Sequence, residues 1–388
     1  MSDIKPYKIH VPDFRIDRLN QKLALTDFPS QNHDPTFTSW KLGPPVNEIE
    51  RLARVWQSGF DWRQVEAHLN RLPQFIVPIE TADLGTFEVH FVHKESSQAH
   101  AIPLLFLHGW PGSFYEVSKI INLLVQGKSH DDQAFHVVAP SLIDFGFSSP
   151  SKKGFEFEHH AEVYDKLMQK LGYDRYVIQA GDVGCLVMRY MARLEPTKDT
   201  HPKLHAKASA TQLTETEKKG LERTGDFYCE DSGYYKLQST KPFTIGYSLR
   251  DSPVGLLAWI YEKIREWSDE YPWSDEEILT WVSIYYFSTP GPEATSNVYY
   301  AMEHGKPPAF AAAAEYVDVP LGISRFSNDL VLLPKLWNQT LGPIVYEVEH
   351  GRGGHFAAWE RPDAIIQDLR AMFQLFKHGY EATERTQG

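Results

Sequence analysis

Hydrophobic positions change their period along this chain, and the changes divide it. Up to about Leu72 they recur at helical spacing: Ile16, Leu19, Leu23 and Leu25, then Ile49, Leu52, Val55 and Trp56, then Trp62, Val65 and Leu69. Recurrence every three to four residues places apolar side chains on one face of a helix, and such stripes are ordinarily packing faces. Residues 1–73 therefore read as a mostly helical N-terminal unit lying against the rest. From Gln74 the period shortens. Phe75–Ile79, Phe87–Val92, Ile102–Leu107 and Phe135–Ala139 are short β-rich runs, and a helical stretch, Glu158–Leu171, precedes another run that starts at Tyr176. Strands alternating with helices predict an α/β core, residues 74–195, with a largely parallel sheet covered on both faces. Over residues 196–315 the pattern becomes helical and aromatic-rich, with Leu256, Leu257, Ile260 and Ile264 in one stripe. That stretch predicts an inserted cap. Val317–Ile323 and Ile344–Val348 then resume the strand pattern, and an amphipathic helix with Ile365, Ile366, Leu369, Met372 and Phe373 closes the core over 316–388.

Composition narrows the partners. With 388 residues, 42% hydrophobic and 13% aromatic, the chain can bury a large core. Its formal charge of −12 argues against nucleic acid or an anionic membrane, which would demand clustered Lys and Arg. A small neutral ligand fits better. Cys185 and Cys229 are too few for a disulfide framework, and no Cys/His set has metal-ligand spacing. There is no apolar run of membrane-spanning length. A soluble protein of a reducing, cytoplasmic compartment is expected, without cofactor or metal.

Candidate chemistry gathers at the ends of the strand runs. In Tyr176-Val177-Ile178-Gln179-Ala180-Gly181-Asp182-Val183-Gly184-Cys185 a β-rich stretch stops at small residues and continues as a helix with Leu186, Val187, Met188 and Tyr190. A strand, sharp turn and helix would push Asp182 out over the carboxyl edge of the sheet, as in a nucleophile elbow. A carboxylate there could attack carbon and form an alkyl ester. An ordinary turn whose Asp caps the next helix has the same local signature. After Ile102–Leu107 comes His108-Gly109-Trp110-Pro111-Gly112-Ser113, a turn able to aim the Trp110 N–H at a developing oxyanion, paired with the Val183 N–H. Late in the chain, Gly351-Arg352-Gly353-Gly354-His355-Phe356 puts His355 on a loop after the last strand run, the best position for a general base, with His350 as its near competitor. Asp329, in Ser327-Asn328-Asp329-Leu330, is the candidate to orient the imidazole; Asp318 and Glu349 are weaker alternatives.

Together the segments His108 to Glu116, Gly181-Asp182-Val183-Gly184 and Arg352 to Ala358 resemble the epoxide hydrolases of the α/β-hydrolase fold, of the microsomal type and its soluble fungal relatives. The resemblance covers nearly the whole chain, including Gly59-Phe60-Asp61-Trp62-Arg63 of that family's N-terminal meander. It implies two cap tyrosines as acids. Tyr234 in Asp231-Ser232-Gly233-Tyr234 is the first; the second falls at Tyr299-Tyr300, where Tyr300 is the choice. The chain departs from the family at Ile143-Asp144, where relatives often have Pro-Gly, and at Asp329, where some have Glu. The implied reaction uses an epoxide and water: Asp182 forms an alkyl ester while the tyrosines protonate the epoxide oxygen, and water activated by His355 and Asp329 releases a vicinal diol. A haloalkane dehalogenase would share the Asp elbow, but Val183 and Trp110 stand where that family has a halide-binding Trp and commonly Asn. A non-catalytic receptor on the same fold would be expected to have lost part of this set. A homodimer is compatible with either reading.

Overall fold

The computed structural model describes residues 3–30, 40–127, 132–194, 207–208 and 211–384. Eight strands are present among them: β1 (Lys5–Pro6), β2 (Gln74–Thr81), β3 (Gly85–Lys94), β4 (Ile102–Leu107), β5 (Phe135–Pro140), β6 (Val177–Ala180), β7 (Leu321–Phe326) and β8 (Ile344–His350). The first six form one sheet in the order β1-β2-β3-β5-β4-β6, and β7 pairs with β8. Half of that first sheet is not parallel as the pattern had predicted. The β2 and β3 segments are joined by a tight turn and pair antiparallel from Gln74↔Val92 to Thr81↔Gly85, and β3 runs antiparallel to β5. A connection that short permits only antiparallel pairing, whereas parallel neighbours need a crossover.

The placement of β4 decides where chemistry can occur. It runs parallel to both β5 and β6, with Leu107 opposite Ala180 at its carboxyl end. The turns that follow β4 and β6 therefore leave the sheet side by side, the arrangement in which open α/β sheets present their sites. Leu104, Leu105, Phe106 and Leu107 are all buried, as a central strand requires. The strand expected at Val317–Ile323 begins later, at Leu321. Pro320 precedes it directly and has no N–H to give a ladder, while Val317 uses its N–H on the Leu341 carbonyl outside the sheet.

Cap helices run from Glu215–Asp226 to Ala309–Ala313, and the expected boundary at 195/196 lies outside the described residues. The N-terminal helices Asp13–Ala24, Val46–Ser58 and Trp62–Leu69 bury Leu19, Leu23, Ile49, Leu52, Trp56, Val65 and Leu69, largely the predicted stripes. Asp61 caps the third by accepting from the N–H groups of Arg63 and Gln64. These helices reach the cap: Trp56 Nε1 donates to Ser283 Oγ at 3.1 Å, and Arg15 donates to the carbonyls of Tyr286 and Phe287. Among the described residues no helix is long and apolar enough to cross a membrane.

Candidate active site

Asp182 opens the helix Asp182–Ala192 with φ of +49°, a left-handed conformation that side chains other than glycine and Asn/Asp rarely adopt. What permits the sharp turn is mainly Gly184. A Cβ there would lie 2.5 Å from the Leu107 carbonyl oxygen and 2.6 Å from that of His108, so only glycine lets this helix sit on the end of β4. Gly181, on the other side of Asp182, has an ordinary extended backbone and open space where a Cβ would go. Gly109 is the other steric requirement, because a Cβ on it would occupy the Asp182 carboxyl position.

That close approach brings the two turns into hydrogen-bond contact. The Trp110 N–H donates to Asp182 Oδ1 at 2.7 Å. Val183 is buried beside it, and its N–H belongs to the first helical turn, where donors have no intrahelical acceptor. Asp182 Oδ2 lies 3.4 Å from His355 Nε2, and His355 Nδ1 lies 2.9 Å from Asp329 Oδ1. The same Asp329 oxygen accepts from the Leu330 N–H at 2.8 Å. His355 is itself fixed from the cap side: its N–H donates to the Trp267 carbonyl at 2.8 Å, and the Gly353 N–H to Asp269 Oδ2 at 2.8 Å.

Electrostatics follow from this line of three groups. Burial disfavours charge on His355, but its hydrogen bonds to Asp182 and Asp329 and their negative charges outweigh burial and raise its pKa to about 10. Burial works on Asp329 in the opposite direction, and the bond to His355 overcomes it, holding the carboxyl below its usual range. The resting arrangement is an imidazolium between two carboxylates. His350 is occupied elsewhere, 2.7 Å from Asp368 Oδ2 and stacked on Phe326, and Glu349 pairs with Arg325 and Lys335.

The cap supplies phenols. Tyr234 stacks on Trp110 with ring centroids 5.1 Å apart and planes 7° apart, and Lys263 Nζ lies 4.9 Å from its ring centre. Of the adjacent pair Tyr299 and Tyr300, it is Tyr299 that faces Tyr234 and Trp110. Tyr299 is 3% exposed and sets its ring edge-on to both Trp110 and Tyr234, whereas Tyr300 is 44% exposed and stacks on His304. Adjacent residues on a helix point about 100° apart, so only one of the pair can face the core. The Tyr299 and Tyr234 rings meet edge-on with centroids 5.8 Å apart, so the two phenols sit side by side in the cap. Burial, and the Asp182 charge, raise both phenols well above the usual tyrosine range, which keeps their protons in place.

Sequence reasoning overlooked Glu116. Its Oε1 accepts from the Ser113 N–H at 3.1 Å, and burial pushes its pKa up to about 8, with the charges of His355 and Asp182 also acting on it. The capping spacing Ser113-x-x-Glu116 was the available signal.

Comparison with known proteins identifies the family. Residues 4–117 match the family described as epoxide hydrolase N terminus, and residues 102–199 match the alpha/beta hydrolase fold. The chain is 33% identical to Epoxide hydrolase 1 of Sus scrofa over 96% of this chain and 89% of that protein. It is 34% identical to Epoxide hydrolase 1 of Oryctolagus cuniculus over 94% and 88%. Among solved structures, the epoxide hydrolase of Aspergillus niger superposes with a TM-score of 0.83 at 32% identity, covering 96% of each chain. The chain belongs to the epoxide hydrolase family of the α/β-hydrolase fold.

Proposed function

We propose that this chain hydrolyses epoxides to vicinal diols through an alkyl ester on Asp182. The observation that carries the reading is the alignment of Asp182, His355 and Asp329 beneath the two cap phenols. In the first step an oxygen of Asp182 attacks an epoxide carbon in line with the breaking C–O bond, and Tyr234 and Tyr299 donate to the oxygen that leaves that carbon. The attacking atom is Oδ2, since Oδ1 is held by the Trp110 N–H. Oδ1 then becomes the ester carbonyl oxygen, already seated where a tetrahedral oxyanion needs a donor, with the Val183 N–H as the second.

Ester formation also prepares the second step. It removes the negative charge of Asp182, one of the two supports that keep His355 protonated. The imidazolium proton makes good the one the phenols gave to the epoxide oxygen, and burial favours the neutral imidazole that results; it takes a proton from water attacking the ester carbonyl carbon, while Asp329 holds its orientation. Collapse of the oxyanion breaks the acyl C–O bond, and the departing alkoxide takes the proton of the new Asp182 acid, which frees the diol and restores the carboxylate beside a protonated His355. An organic halide could also alkylate Asp182, but no tryptophan follows the nucleophile here to hold a halide. The two unpaired cysteines, Cys185 and Cys229, support a reducing, cytoplasmic setting.

The test is His355→Ala with a small panel of aryl and alkyl epoxides. Alkylation should proceed and hydrolysis should stall, so mass spectrometry should find the peptide containing Asp182 heavier by one substrate. Diol formation by the unaltered protein is the accompanying control. Equal loss of both steps with no adduct would count against a role for His355 confined to the second step.

A further inference from the structure

One buried carboxylate outside the proposed chemistry joins the core to the helix that carries Tyr299. Asp144 is 3% exposed and lies in the loop after β5, at the position where the sequence departs from its family. Its φ is +74°, which glycine would adopt without strain. An aspartate here therefore costs the fold backbone strain as well as the burial of a carboxylate. What it gains is specific. Oδ1 accepts from the Ser151 N–H at 2.7 Å, and Oδ2 lies 3.4 Å from Asn297 Nδ2, which also reaches Ser151 Oγ at 3.3 Å. Burial pushes the carboxyl up to about 6, with the bonds to Ser151 and Asn297 opposing it.

Asn297 sits in the first turn of the cap helix Ser296–His304, two residues before Tyr299. The preceding residue, Ser296, donates through Oγ to Gln238 Oε1 at 3.0 Å, and Gln238 is on the helix Gly233–Thr240 that carries Tyr234. The same core loop holds the cap a second time, since the Thr289 N–H donates to the Gly146 carbonyl at 2.8 Å. We propose that Asp144 is a positioning residue: through Asn297 it fixes the helix of Tyr299, and with it the proton donors, over Asp182. This rests on the reading that Tyr299 protonates the epoxide oxygen.

Asp144→Gly isolates the side chain, because glycine satisfies the backbone and deletes only the carboxylate. In single-turnover measurements it should slow ester formation on the order of tenfold, a typical cost of a displaced catalytic group, and leave ester hydrolysis within about twofold. Asn297→Ala cuts the other end of the link and should do the same. Neither change should add to the loss in a Tyr299→Phe background, where there is no hydroxyl left to position. Equal slowing of both steps, unchanged ester formation in both variants, or a full further loss on top of Tyr299→Phe would overturn the proposal. Absence of any ester in the unaltered protein would bring down the covalent reading, and the positioning role of Asp144 with it.

Discussion

At the level of single residues, the charge on His355 depends on Asp182, a partner that loses its own charge in the proposed reaction. Two carboxylates hold its pKa near 10, above the usual histidine range near 6.5. A group raised in the folded state contributes stability that is fully present below its unfolded pKa and fades as pH climbs toward the folded value. In the proposed mechanism the same coupling makes the residue a poor base at rest and a better one once Asp182 is esterified. Asp182→Asn imitates the loss of that charge, so it should lower the imidazole pKa by about 1–3 units. An NMR titration of the His355 ring measures it. A value that stays near 10 would mean that Asp329 alone sustains the imidazolium, and that ester formation does not release the base. That Asp182, Asp329 and His355 lie together was legible because the strand runs that present them have clear patterns. Which of two adjacent tyrosines faces inward was not, since only the helix orientation sends Tyr299 into the core and Tyr300 to His304.

Local elements show which parts of the pattern carried information. The parallel pairing of β4 with β6 was implied by two β-rich runs, each ending in a Gly-rich turn, and it places both turns together. The later start of β7 was obscured because Val317-Asp318-Val319 reads as a strand, although Pro320 interrupts the ladder. The same applies to the elbow glycines, which look alike in sequence and differ in space. Gly184 faces two backbone carbonyls at the end of β4, those of Leu107, which pairs in the sheet, and of His108. Gly184→Ala should therefore cost about 1–3 kcal/mol, the range for overpacking a filled site. Gly181→Ala meets nothing and should stay within about 0.5 kcal/mol. Denaturant unfolding of the two variants separates these outcomes. Equal costs would mean that strain at Asp182, rather than contact with β4, shapes the turn.

Across the whole molecule, the N-terminal segment, cap and core meet in one cap helix, Asp275–Tyr286. On one side Trp56 donates to Ser283 Oγ and sets its ring edge-on to Tyr286 at 6.0 Å. On the other, Trp281 Nε1 donates to the Pro111 carbonyl and the Tyr285 hydroxyl donates to the Gly112 carbonyl at 2.7 Å. The turn that presents the Trp110 N–H to Asp182 is thus held from the cap, and the cap helix is held in turn by residues far earlier in the chain. Helical periodicity announced the stripes but not this sharing, because it does not say which surface a stripe will meet. If the three parts form one cooperative unit, damage at Trp56, which is 1% exposed, must be felt by all of them. Trp56→Ala should lower the unfolding free energy by about 3–5 kcal/mol, the range for deleting a large buried aromatic. Tryptophan fluorescence and ester-forming activity should be lost together along one denaturant transition. A loss below about 1 kcal/mol, or an early fluorescence transition that leaves ester formation intact, would show that the N-terminal segment is a detachable covering.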